Sequence, residues 1–403
     1  MISVTLFLCG DVMPGRGVDQ ILPHPGDPTL AEPSIGSALD YVRLAESRSG
    51  PIAMPVGFDY IWGDALAELS CRRLDARIVN LEAAVTVSRD RQPKEVLYRM
   101  HPQNVGCLAA AGIDCCALAN NHALDFGPAG LAETVMTLAA AGIRTAGAGG
   151  DEERARAPAV IPLPGQGRVL VFALASSSSG VPESWAAAEG RAGLWLLDGF
   201  GRRQRRSVAR HIRQFRRPRD IVVLSIHWGS NWGYEIPREH SDFARSLIGE
   251  GAVDAVYGHS SHHPRGIEIF EGKPIFYGCG DFIDDYEGIV GYEAFRGELG
   301  FMYFPSFDPG SGMLLKMELV PTRVKRFRVE KARGEDAAWL ARTLERASEP
   351  FGTRFAKAED GTLKAWRPGG SGPSRPFPPA HGVSRGSIRC WRCGDRPGPG
   401  RTR

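Results

Sequence analysis

The run Cys115-Cys-Ala-Leu-Ala-Asn-Asn-His-Ala-Leu-Asp-Phe-Gly127 passes abruptly from an apolar segment to two amides, a histidine and an aspartate. Its first five residues suit a buried strand, whereas Asn120, Asn121 and His122 are poor formers of strand and helix alike. Something other than propensity therefore accounts for them. The neutral Asn121 carbonyl suits a hard cation, and His122 can donate a proton or stabilise an oxyanion. Asp125 lies three residues on, within reach of the imidazole if the segment makes one helical turn. The alternative is an Asx-turn leading into a helix at Pro128.

The same signature recurs along the chain. Apolar, strand-like runs at 4–9, 76–80, 221–226 and 255–257 lead into Asp11, Glu82, His227 and Gly258-His259. Between them lie helix-like segments at 62–74, 102–111, 128–141, 200–215 and 239–250, and Gly112 and Gly142 stand where helix ends favour glycine. Strands alternating with helices imply parallel pairing, and such sheets bind ligands beyond the carboxyl ends of their strands. The expected fold class is therefore α/β. A later β-rich stretch at 266–270, 274–277, 300–307 and 313–320 has hairpin character and is expected to form a second sheet on the first.

Singly, most of these residues have a bland reading. Asp11 could cap a helix, Glu82 could be a solvated acid, and His227 a hydrogen-bonded core histidine. The segment Gly258-His259-Ser260-Ser261-His262-His263 is harder to dismiss, since three clustered imidazoles would repel one another if protonated and neutral imidazole is a common metal ligand. Two carboxylates, one amide and at least three imidazoles at strand ends make a mixed N/O donor set without the cysteines of a closed structural zinc site. Such a set suits Mn²⁺, Fe or Zn²⁺ in an open, water-bearing site, where paired ions would activate a water and stabilise a leaving oxygen.

Composition agrees with an ordinary globular protein. The chain has 403 residues, 43% hydrophobic and 24% charged, with 49 basic against 46 acidic side chains and a net charge of +3, so no nucleic-acid partner is indicated. The first residues read as a buried strand rather than an export signal, and no apolar run is long enough for a membrane span. The eight cysteines mostly sit in apolar stretches, so a cytoplasmic location is expected. Cys390 and Cys393 form a single CxxC pair, which alone cannot complete a tetrahedral site. The chain changes after Phe355, and residues 356–403, rich in Pro, Gly and Arg above all from 367 on, are expected to form a disordered tail after a 1–355 domain. The arginine run at 202–206, continued at 216–217, reads as a solvated helix face able to attract an anionic polymer.

The ordered set resembles the CapA family of poly-γ-glutamate capsule synthesis proteins, within the calcineurin-like metallophosphoesterase superfamily. Gly10-Asp11-Val12-Met13 is similar to the opening motif, Asn80-Leu81-Glu82 to the second, and Asn120-Asn121-His122 with Asp125 and Gly127 to the third. His227-Trp228-Gly229 with Glu235 resembles the fourth motif and Gly258-His259-Ser260-Ser261-His262 the fifth. In the sixth, Gly280-Asp281-Phe282 stands where the family has Gly-Asn-Phe, and Met13 stands where an Asp-x-His pattern of the wider superfamily would supply another histidine. The resemblance implies a four-layer αββα sandwich of two packed mixed sheets. It also implies two divalent metal ions held by Asp11, Glu82, Asn121, His227, His259 and His262, with His122 and Asp125 as the acid for the leaving group. The function so implied is hydrolysis of a phosphoester or a γ-glutamyl bond by a metal-activated water. The competing expectation is a non-catalytic partner of capsule synthesis proteins that binds an anionic polymer or a synthase complex.

Overall fold

The computed structural model describes residues 3–165 and 167–369. The CxxC pair and most of the expected tail lie outside the described residues.

Two mixed sheets dominate. In the nine-stranded sheet Val4–Cys9, Ala76–Asn80, Cys115–Ala117 and Arg144–Ala146 run parallel in that order, and Leu299–Phe307 pairs antiparallel on the other side of Val4–Cys9. Leu314–Lys325 and a closing hairpin, Arg354–Lys357 with Leu363–Trp366, extend this edge. In the seven-stranded sheet Gly167–Ser176, Ile221–His227, Ala255–His259 and Lys273–Phe276 are parallel neighbours. Ala159–Leu163 and Ile267–Phe270 pair antiparallel with members of that sheet.

Strand alternation explains how the sheets pack. Val169, Val171, Ala173 and Ala175 join the large core shared with Leu6, Ile78, Cys115 and other residues of the nine-stranded sheet. Their alternates Leu170, Phe172 and Leu174 face the opposite way, into a second core formed with Val208 and Ile212 of the helix Arg202–Phe215 and Phe243 and Leu247 of the helix Arg238–Gly249. Strands buried on both faces read as unbroken apolar runs, which is why 221–226 was so legible.

Several expectations need correction. The five strands leading into Asp11, Glu82, Asn121, His227 and His259 divide between two sheets instead of sharing one, and the later β-rich stretch does not form a sheet of its own. Ile267–Phe270 and Lys273–Phe276 join the seven-stranded sheet, while Leu299–Phe307 and Leu314–Lys325 join the other. The boundary at Phe355 falls inside the closing hairpin, so the fold runs on to Trp366, with Leu363 and Ala365 buried. The helix expected over 62–74 forms only at Ala65–Ser70, because Gly63 at φ +45° separates it from the short turn Tyr60–Trp62. Among the described residues, no helix is long and apolar enough to cross a membrane.

The edge of the sheets remote from those residues is tied by aspartates. Asp75 accepts the Thr5 amide at 2.8 Å, Asp114 that of Arg77 at 2.8 Å and Asp254 that of Val222 at 2.9 Å, in each case the second residue of the neighbouring strand. Asp254 is fully buried and also binds Lys273 Nζ at 2.7 Å and Arg216 at 2.9 Å. Removing one member of such a set leaves an uncompensated buried cation. Asp254→Ala is therefore expected to lower stability by about 3–5 kcal/mol in urea unfolding.

Candidate metal and acid–base site

Chain entry into the site depends on a close approach. Gly10 sits where an added Cβ would lie 2.2 Å from the Gly280 carbonyl, and the Asp11 amide donates to that same carbonyl at 2.8 Å. The short strand Asp281–Ile283 then pairs parallel with Asp11–Val12, which sets Asp281 against Asp11. Glu82 is tied to the same turn, its amide donating to the Val12 carbonyl at 3.0 Å.

Asp11, Glu82 and His227 converge. One ligand atom from each lies within 4.8 Å of the others, and all three are buried. His259 joins through Asp11, its Nδ1 lying 2.5 Å from Oδ1. His122 Nε2 stands 3.9 Å from Glu82 Oε1, and His227 Nε2 lies 3.8 Å from the same oxygen. His262 Nδ1 contacts both oxygens of Asp281, at 3.0 and 3.1 Å.

The electrostatics are those of a buried, acid-rich cluster. Burial and the neighbouring Asp11 charge push the Glu82 carboxyl well above its usual range. Burial opposes ionisation of Asp11 too, but the bonded His259 and nearby His227 draw it well below the carboxylate range. Burial pushes His227 down to about 3 and His122 to about 4, in the latter case outweighing Asp125. For His262 burial works against the charge, and the Asp281 carboxylate reverses that and raises it.

His227 Nδ1, His259 Nε2 and Asn121 Oδ1 are buried without a hydrogen-bond partner. The orphaned nitrogens of His227 and His259, whose rings stand beside Asp11 and Glu82, fit a cation, since buried polar atoms are otherwise almost always satisfied. The donor set is oxygen and nitrogen only, and Met13 packs with Ala83 and Tyr98 instead of adding a ligand.

The His122 side is organised separately. Asp125 Oδ2 lies 2.6 Å from His122 Nδ1 and accepts the Tyr98 amide at 2.8 Å, and the Tyr98 ring meets the imidazole edge-on at 4.7 Å. The Asx-turn alternative also holds in part, since Asn120 Oδ1 accepts the His122 amide at 3.0 Å. The Asn120 amide group then donates to Asn80 Oδ1 at 3.2 Å, and the Asn80 amide group to Asp11 at 2.9 Å.

Several of these residues were not among the sequence candidates. Asn80 had a signal, because it shares a strand face with Glu82. Asn120 had one as half of an amide pair. Lys94, which binds Asp125 Oδ1 at 2.5 Å and donates to the Asn121 carbonyl, had none, as it comes from a polar loop. Glu235, grouped with His227 by motif, is exposed and outside the cluster.

The backbone after His259 is strained, with Ser260 at φ +93°. Such a conformation costs on the order of 1–3 kcal/mol and clusters at functional sites. Ser260 is held there by its hydroxyl donating to the Gly229 carbonyl at 3.0 Å.

Comparison with known proteins gives the chain a family. The family described as bacterial capsule synthesis protein PGA_cap matches residues 5–286. Proteins named probable polyglutamine synthesis accessory protein, from two Mycobacterium tuberculosis strains, are 50% identical over 365 residues, covering 90% of this chain and 95% of theirs. The Bacillus anthracis capsule biosynthesis protein CapA is 25% identical over 287 residues, 70% of this chain and 60% of its own. The Bacillus subtilis PGA biosynthesis protein CapA is 25% identical over 208 residues, 51% of this chain and 52% of its own.

Tyr257 joins the two sheets at the site. Its hydroxyl donates to the Cys9 carbonyl at 2.5 Å and accepts the Cys9 amide at 3.2 Å, while its ring lies 4.1 Å from that of His259. Tyr257→Phe is expected to lose about 1–3 kcal/mol of stability in urea unfolding, since a buried backbone pair loses its partner.

Proposed function

The chain belongs to the bacterial capsule synthesis protein family PGA_cap, and from that premise we propose that it is a metal-dependent hydrolase acting on a phosphoester or a γ-glutamyl-type bond. The observation that carries this reading is the buried Asp11, Glu82 and His227 group with its ligand atoms within 4.8 Å of one another. Asp11, Glu82, Asn121, His227, His259 and His262 would hold two divalent ions, and their N/O character suits Mn²⁺, Fe or Zn²⁺. When bound, the ions supply Lewis acidity toward the scissile group and the attacking water. We read the two mixed sheets, which share one core, as the αββα sandwich of calcineurin-like metallophosphoesterases.

The remaining chemistry belongs to side chains. Asp125 accepts the Nδ1 proton of His122 and fixes the ring, so Nε2 is the atom that faces the Glu82 side of the cavity. In the resting site burial keeps this imidazole neutral. An arriving anion raises its proton affinity, so the protonated ring forms with substrate in place and delivers its proton to the leaving group. Asn80 and Asn120 act as positioning residues, holding Asp11 and the His122 turn in one hydrogen-bonded chain.

A second reading is favoured by the names of the Mycobacterium tuberculosis relatives, which describe accessory proteins. Here the same site would serve a binding partner of polymer synthesis that performs no hydrolysis.

Elemental analysis by inductively coupled plasma mass spectrometry separates these readings. About two metal ions per chain are expected in the wild type, falling in Asp11→Ala and His259→Ala. Turnover of phosphoester or γ-glutamyl substrates is expected to fall about 10²- to 10⁴-fold in His122→Ala. Wild-type protein that stays metal-free after purification with Mn²⁺ or Zn²⁺, or full activity in either Asp11→Ala or His122→Ala, would sink the hydrolase. Stoichiometric metal with polymer binding and no turnover favours the accessory role.

A further inference from the structure

The helix Arg202–Phe215 packs Val208, Ala209 and Ile212 onto the outer face of the seven-stranded sheet. Its opposite face is unlike that of any other long helix in the described residues. From Arg202 to Arg219 the sequence holds nine arginines and no acidic residue. By contrast, the helices Ala38–Ser49, Arg238–Gly249 and Gly334–Ser348 each mix acidic and basic side chains.

Arg203, Arg206, Arg210 and Arg213 follow spacings of three, four and three, so they form one stripe along the helix, about 15 Å from end to end. All four are exposed. Arg213 pairs with Glu250 at 3.3 Å. Arg203, Arg206 and Arg210 have no carboxylate partner among the described residues.

This arrangement works against the helix that carries it. Like charges three and four residues apart repel, and arginines in the first turn oppose the helix dipole. The N-cap is Gly201, with no side-chain cap to compensate. Folding alone gives no reason for such a stripe, whereas an external polyanion would turn each repulsion into an attraction.

The topology also aims the stripe. The helix begins beside the ligand-bearing edge, where Phe200 packs 6.0 Å from the ring of Trp228, the residue after His227. It ends at the opposite edge, where the Phe215 carbonyl accepts from Arg168 at 2.9 Å.

We propose that Arg203, Arg206 and Arg210 form a docking track for an extended polycarboxylate chain outside the metal cavity, leading toward the edge that holds His227. The proposal rests on the reading above that the protein works on or beside an anionic polymer. Guanidinium groups match carboxylates in two-point hydrogen bonds. No exposed Phe, Trp or Tyr stands between Arg203 and Arg213 to stack a base, and a net charge of +3 is low for a nucleic-acid binder. A polycarboxylate therefore fits better than a nucleic acid.

The test uses the full chain and fluorescence anisotropy of fluorescein-labelled poly-γ-glutamate at low salt. Arg203→Gln/Arg206→Gln/Arg210→Gln keeps good helix formers, verified by circular dichroism, and is expected to weaken binding about tenfold and flatten its salt dependence. A control triple of exposed arginines elsewhere, Arg48→Gln/Arg144→Gln/Arg333→Gln, is expected to leave affinity unchanged. Unchanged binding in the helix variant, or an equal loss in the control, overturns the track. Tighter binding of a labelled oligodeoxythymidine than of the polycarboxylate overturns its assignment to carboxylates. Metal content is read on the same helix variant and is expected to match the wild type. Failure of the metal-site reading would therefore show in that number and failure of the track in the anisotropy.

Discussion

The 2.5 Å contact between Asp11 and His259 joins side chains from two different sheets. It can form only if the sheets meet at the edges that carry these two residues in one fixed register. Cys9 and Tyr257, two residues before each partner, make the bridging hydrogen bonds that set that register. Gly10 lets the first strand pass against the Gly280 carbonyl, and Asp281 is brought alongside as a result. The other site residues arrive by the same logic: His227 ends its strand, and Glu82, Asn121 and His122 follow soon after theirs, so the core has already fixed their direction.

Such a cluster is costly to assemble without a ligand. Two carboxylates and several imidazoles are removed from water, and hydrogen bonds satisfy only part of their capacity. The sheets can bear this because their interiors are apolar on both faces and tightly connected. The cavity stores an unmet demand for positive charge that a bound cation relieves, so metal binding and stability are linked in this reading.

Much of this was legible in the chain itself. Long apolar runs ending in Asp11, Glu82, His227 and His259 announce strands because nothing else in those segments accounts for the abrupt change to polar residues. The division into two sheets was not legible, because it depends on contacts such as Cys9 with Tyr257, 248 residues apart, and strand periodicity is the same in either sheet. Gly167–Ser176 has the apolar pattern of its neighbours but ends in Ser176-Ser177-Ser178-Ser179, so no metal-binding residue marked it. Lys94 and Tyr98 reach Asp125 from an irregular loop where no periodicity operates.

The aspartates at the remote edge have a bearing on how variants of this protein are read. Asp75, Asp114 and Asp254 lie about 20 Å from the candidate site, one strand length away. A parallel strand that slips by one residue turns all its side chains to the other face. Residues outside the cluster thus help decide whether His227 and His259 face it. A substitution among them can imitate a lesion in the cluster itself, because lost stability and lost register both reach His227 and His259, and a map of disruptive changes would light up at both ends of the strands with a quiet middle between.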